Sequence, residues 1–254
     1  LRVHPGRWRA EGGGRVTTDR RLYDMDLGRR DHTRWLGSSG RYSTRLTLPT
    51  ANLLAAWDAR VGVTNVSGAC SAWADQSSNG FHGTQATAAN RPTISTSGGT
   101  PSLLFDGTND NLLSLATSAA GVHTVYAVIN PTPDSSPRTL LGGATNLAGV
   151  GALNGFHQGN DGVGWRSTGV TYASGRQRVV YQMSAGASGL LFWKNGAAAT
   201  PATWAANPAC DGSVYIGSAS PATWSYLGHL FALFIYTGPR NPDVEAYITQ
   251  EWGV

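Results

Sequence analysis

The chain predicts an all-β fold: a two-sheet antiparallel jelly-roll sandwich with an extended N-terminal arm and a short C-terminal helix. Three observations carry this expectation. Short apolar runs recur between tight-turn signals such as Asn79-Gly80, Asp106-Gly107 and Asn195-Gly196, whose residues accept the positive backbone dihedrals of a reversal. Only 13% of the 254 residues are charged while 33 are glycine, the composition of a β protein rich in small residues rather than of a helical or disordered chain. Clear helical periodicity is confined to the last ten or so residues. The length suits one large sandwich with a short extra segment and not two full domains.

Between Leu1 and Thr50 apolar residues are sparse, and Gly12-Gly13-Gly14 and Gly37-Ser38-Ser39-Gly40 interrupt any element. A segment so poor in apolar surface cannot offset its own ordering entropy, so residues 1–50 are expected to lie as an arm against a partner protein or a second copy. The arm ends in an alternating stretch, with Tyr42, Thr44, Leu46 and Leu48 on one side, which predicts a strand over 41–48 stopped by Pro49. The sandwich, residues 51–254, opens with Leu53-Leu54-Ala55-Ala56-Trp57. Leu103-Leu104-Phe105 is expected to pair with Asn111-Leu112-Leu113 across the turn 106–110, and strands follow over 123–130, 178–183, 189–194 and 214–216. Gly142-Gly143 reads as a strand-connecting turn. Asn241 as N-cap, Pro242 at the first helical position, and Val244, Tyr247, Ile248 and Trp252 at helical spacing predict the terminal helix.

The order of short motifs is informative. Trp57-Asp58-Ala59 is followed by Trp73-Ala74-Asp75-Gln76-Ser77-Ser78-Asn79-Gly80, Gln85, Arg91-Pro92-Thr93 and Leu104-Phe105-Asp106-Gly107-Thr108-Asn109-Asp110. Near the other end come Tyr215-Ile216-Gly217, then Gly228-His229-Leu230-Phe231-Ala232-Leu233-Phe234-Ile235-Tyr236, then Glu251-Trp252-Gly253. This order resembles that of laminin-G-like domains of the concanavalin A-like lectin and glucanase superfamily, over residues 51–254. The resemblance implies a lectin-like jelly roll, of the sort found in bacteriophage virion and bacterial surface proteins.

Charge is unevenly placed. Residues 1–50 hold eleven of the nineteen basic and five of the fifteen acidic residues, which leaves the arm at +6 and the rest at −2 within a total of +4. A basic leader on a near-neutral body points to an arm that meets an acidic surface; the alternative is a solvated leader. The expected contacts are Arg2, Arg7, Arg9, Arg15, Arg20 and Arg21 against acidic side chains or carbonyls, with Trp8 and Trp35 as apolar anchors. Nucleic acid is disfavoured, since the basic residues form no dense run. No stretch reaches the roughly 18 apolar residues of a membrane span, and Leu1-Arg2-Val3-His4-Pro5-Gly6 has no apolar signal core, so the chain is expected to be cytosolic in origin or trimmed. Cys70 and Cys210 are read as buried free thiols in preference to a single bridge.

Catalytic chemistry finds little footing. The glucanases of the superfamily pair two glutamates on one strand, but this chain has only Glu11 in the arm and Glu245 and Glu251 in the terminal helix. Asp134, Asp161 and Asp211 are isolated, the six histidines show no metal-ligand spacing, and no nucleophile elbow or phosphate loop is present. The expectation is therefore no enzyme and no cofactor. Calcium, which relatives hold with oxygen ligands, has one candidate in Asn109, Asp110 and Asn111, against the simpler reading of a turn whose side chains bond their own backbone. Sugar recognition needs aromatic faces beside amides or carboxylates, and Asn154, His157, Asn160, Asp161 and Trp165 supply that mixture in one segment.

Two functions follow as expectations. The first is a structural protein of a virus particle, a bacteriophage head decoration or tail accessory protein, displaying a lectin-like domain and anchored through its arm to other virion proteins or to copies of itself. The alternative is a bacterial carbohydrate-binding module or lectin that meets cell-surface glycans. The corresponding locations are the virion, or the bacterial cell surface or medium.

Overall fold

Two antiparallel sheets pack face to face, and a helix covers the outer face of one. The structure, a computed structural model, describes residues 45–143, 149–161, 164–204, 210–220 and 223–254, without the side chains of residues 210 and 211. The arm contacts expected of Arg2, Arg7, Trp8, Arg9, Arg15, Arg20, Arg21 and Trp35 lie outside the described residues.

The back sheet runs Leu53–Asp58, Leu227–Thr237, His123–Pro131, Gln177–Met183 and Gly186–Lys194, each antiparallel to the next. Its strands are apolar on both faces because both are covered, so Val125 to Ile129 and Phe231 to Tyr236 read as continuous apolar runs without alternation. Val125, Ala127, Ile129, Leu233 and Ile235 point into the sandwich core, while Tyr126, Val128, Phe234 and Tyr236 meet Val244, Ile248 and Trp252 of the helix Pro242–Trp252. Each such side chain withdrawn from water contributes about 1.5–3 kcal/mol. The helix begins as expected: the Asn241 side chain accepts the Asp243 N–H, Pro242 opens the first turn, and left-handed Gly253 closes the last. Arg178, itself buried, binds the helix to the sheet by donating to the Glu245 carbonyl and Thr249 Oγ1 and pairing with the Glu245 carboxylate at 3.0 Å.

The front sheet runs Val63–Val66, Ala69–Trp73, Gly83–Thr84, Leu112–Ser114, Val214–Ile216, Arg138–Gly143, Val150–Leu153, Phe156–Asn160 and Trp165–Thr171, again antiparallel throughout. Leu112, Leu141, Val150, Ala152, Val214 and Ile216 fill the core from this side. Asp75 ties the motif 73–80 to the back sheet, since its buried carboxylate accepts the N–H groups of Ala56, Ser77 and Phe81 and the Ser77 hydroxyl.

Three local expectations are corrected. Residues 103–105 do not pair with 111–113: Thr100–Asp106 pairs with Leu227–Thr237 and Thr93–Ser97, whereas Leu112–Ser114 belongs to the front sheet. The turn 106–110 therefore carries the chain from one sheet to the other, and both Phe105 and Leu112 reach the core. Gly142 and Gly143 are strand and not turn; a Cβ on Gly142 would lie 2.6 Å from Ala219 Cα, so the missing side chain serves a close approach. Residues 45–48 are not a strand, because the Leu46 N–H goes to Gln250 Oε1 and Leu48 packs beside the helix; residues 41–44 lie outside the described residues. Cys70 is a free, buried thiol that burial pushes up to about 12, and the Cys210 side chain is outside the described residues.

Candidate functional site

The edge of the front sheet gathers the polar and aromatic residues of the segment 154–165. Strands Val150–Leu153 and Phe156–Asn160 join through Asn154-Gly155, a two-residue turn in which both residues have positive φ, at 53° and 79°. Asn154 is exposed at its tip, six residues along the strand from Asn160 and so roughly 20 Å away. Asn160 lies opposite Trp165 in the register, which puts these two side chains on one face. Asp161 follows with its carboxylate wholly buried, accepting the Gly164 N–H at 2.9 Å and pairing with Arg166 Nε at 2.8 Å. The structure thus brings Asn160, Asp161 and Trp165 together and leaves Asn154 apart.

His157 is corrected as a sugar contact. It is fully buried, stacks on Phe192 at 4.8 Å, meets Tyr172 edge-on at 5.0 Å, and has Nδ1 2.9 Å from the Tyr181 hydroxyl. The Tyr181 hydroxyl donates to the Gly151 carbonyl, so the imidazole N–H must sit on Nδ1 and donate to Tyr181. Burial pushes its pKa down to about 3, a neutral core histidine.

The residue missing from the sequence reading is Trp224. Its ring lies 5.6 Å from that of Trp165, inclined at 54°, and it is 43% exposed, whereas Trp57, Trp73, Trp204 and Trp252 are buried. Trp224 also has φ of 52°, a left-handed conformation that costs a bulky residue on the order of 1–2 kcal/mol. Its surroundings impose that conformation. The Trp224 carbonyl accepts the Thr139 N–H at 2.7 Å, the Ser225 carbonyl accepts Arg138 Nη1 at 3.1 Å, Ser225 Oγ donates to the Thr108 carbonyl, and the Tyr226 N–H reaches the Gly217 carbonyl. Arg138 is fixed in turn by the Asp134 carboxylate and donates also to the Gly107 carbonyl; the guanidinium holds the Asp134 carboxyl below the usual range. A sequence signal existed: Trp224 is the lone aromatic in Ser218-Ala-Ser-Pro-Ala-Thr-Trp-Ser225, a run with no other large apolar residue that would need a core.

Other chemistry-bearing groups are engaged elsewhere. Glu245 and Glu251 lie on the terminal helix and pair with Arg178, Arg240 and Arg60. In the turn 106–110, Asp106 Oδ1 accepts the Thr108 N–H, Asp110 Oδ2 accepts the Asp106 N–H, and Asn111 Oδ1 accepts Gln85 Nε2. Burial lifts Asp110 to about 6. Among the described residues no group of three or more His, Cys, Asp or Glu is placed to hold a metal ion, and no helix is long and apolar enough to cross a membrane. Ser118 Oγ lies 2.5 Å from Nε2 of buried His123, whose Nδ1 faces the Gly121 carbonyl at 3.3 Å, so this imidazole bridges two points of its own loop.

No protein-family model matches the chain, and no curated protein matches it by sequence. Similar solved structures include Trypanosoma rangeli sialidase in complex with a difluoro-nononic acid, at 15% identity over 81% of this chain and 34% of that one, with a TM-score of 0.50. The botulinum neurotoxin serotype D ligand binding domain in complex with N-acetylneuraminic acid matches at 10% identity over 79% and 50%, with a TM-score of 0.51. Domain 4 of AbnA, an extracellular GH43 arabinanase of Geobacillus stearothermophilus, in complex with arabinotriose, matches at 15% identity over 77% and 97%, with a TM-score of 0.50. The chain therefore spans about a third of the sialidase chain and half of the toxin chain. The likeness to these three lends no support to the finer laminin-G resemblance or to a virion role. At such identities the likeness is one of fold alone, that of a two-sheet antiparallel β-sandwich.

Proposed function

We propose that the chain is a non-enzymatic carbohydrate-binding module, acting at a cell surface or in the surrounding medium, whose sugar-binding face is built on Trp165 and Trp224. The observation that carries this reading is the exposed, paired Trp224, held by its neighbours in a conformation that a tryptophan adopts only at a cost. An indole face suits the apolar C–H surface of a sugar ring, and the Asn160 amide opposite Trp165 is placed to read hydroxyls. Two of the similar structures are domains solved with sugars bound, N-acetylneuraminic acid in one and arabinotriose in the other, which supports the reading by fold alone. The reading departs from the virion role expected first, because the residues meant to anchor that role lie outside the described residues and the three similar structures lend it no support.

A glycan array probed with the chain and with Trp165→Ala and Trp224→Ala tests this. The expected result is a discrete set of glycans bound by the chain, each variant losing about tenfold or more in affinity, on the order of 1.4 kcal/mol, with an intact fold. Binding that survives both substitutions would place the sugar elsewhere.

A further inference from the structure

A third exposed ring stands on the same sheet face as Trp165. On strand Phe156–Asn160 the side chains alternate: His157 stacks on Phe192 in the core, and a Cβ on Gly159 would lie 2.5 Å from the Trp204 ring. Phe156, Gln158 and Asn160 therefore face outward. The register carries this face onto the edge strand, with Trp165 opposite Asn160, Ser167 opposite Gln158 and Thr171 opposite Phe156. Phe156 is 41% exposed, whereas Phe105, Phe192, Phe231 and Phe234 are buried. The outward positions between the two ends are polar and uncharged. Gln158 is buried, with Nε2 turned to the Leu153 carbonyl at 2.9 Å. Ser167 is exposed, and its hydroxyl accepts the Gly169 N–H at 3.1 Å while its own proton remains to donate.

We infer that this face takes a chain of sugars rather than a single terminal sugar, with one ring on the Trp165–Trp224 pair and a later ring on Phe156. The inference rests on the proposed sugar-binding role of the tryptophan pair and goes further by naming the ligand class, an oligosaccharide, and its second contact. Phe156 and Asn160 lie four positions apart on one strand, roughly 13 Å. With bonds of about 1.5 Å, a sugar ring and its glycosidic oxygen advance a chain by about 5 Å, so one ring cannot touch both ends and a chain of about three can. The phenyl face has no hydrogen bond to offer, and what it contributes is contact with sugar C–H groups that leave water. The Ser167 hydroxyl, exposed between the two ends, is placed to meet the ring in the middle.

The test is a titration of the full chain with ladders of linear oligosaccharides, from the single sugar to the hexasaccharide, of arabinan, xylan, β-glucan, galactan and mannan. On a ladder that binds, affinity should rise about tenfold between the single sugar and the tri- or tetrasaccharide and then level off. Phe156→Ala should remove that gain, about tenfold on the longer members, and leave binding of the single sugar unchanged. Phe156→Trp keeps a ring face and should retain the gain. Trp224→Ala, by contrast, should weaken every member of the ladder. Binding confined to single or terminal sugars, or a length gain that Phe156→Ala leaves in place, would overturn the inference while leaving a sugar-binding role intact. No binding to any ladder or to any glycan of an array would overturn both.

Discussion

Trp224 is where local preference and tertiary structure conflict most openly. Isolated tryptophan avoids positive φ, yet four hydrogen bonds around residues 224–226 hold it at 52° beside Trp165. Trp224→Gly should therefore be more stable than Trp224→Ala by about 1 kcal/mol, since both lose the ring but only glycine adopts the backbone freely. Denaturant unfolding of the two variants checks this, and equal stabilities would mean that the conformation costs nothing. Arg138 is the positioning residue. Arg138→Lys keeps the charge but cannot hold Asp134 and both carbonyls in one planar fork, so it should cost about 1–3 kcal/mol of stability and weaken sugar binding, with the larger relative loss in binding. Little of this was legible in the sequence: nine tryptophans in a β protein are read as core by default, and the pairing of Trp224 with Trp165 joins residues 59 positions apart.

At the scale of elements the sequence spoke more clearly, and its failures share one physical cause. The C-terminal helix and the strands at 123–131, 177–183 and 214–216 follow from caps, periodicity and turn residues, all of which are local. Turn chemistry says where a chain reverses but not which strand it reverses onto, so the turn 106–110 read as a hairpin while in fact it links the two sheets. The same turn has a pH signature. Asp110 is raised to about 6 by burial, so its protonated form favours the folded state: its contribution is full below about pH 4 and is lost as pH rises through about 6. Asp110→Asn should therefore flatten the fall in stability between pH 4 and 6, and a melting profile unchanged by the substitution would show that the carboxyl titrates normally.

At the scale of the whole molecule, residues 46–254 carry a complete core between the sheets and a second apolar layer under the helix. Deleting residues 1–40 should then leave the melting transition of the sandwich unchanged; a lowered transition would make the arm part of the domain. Fold class was readable because strand rhythm, glycine content and the terminal helix all agree, whereas the proposed binding face depends on an edge strand meeting a distant loop. The most direct measurement of the central claim is a calorimetric titration of the best array glycan into the chain and into Trp224→Gly. The account predicts saturable binding to the chain and a loss of about tenfold or more in the folded variant. Equal affinities for the two proteins would contradict it.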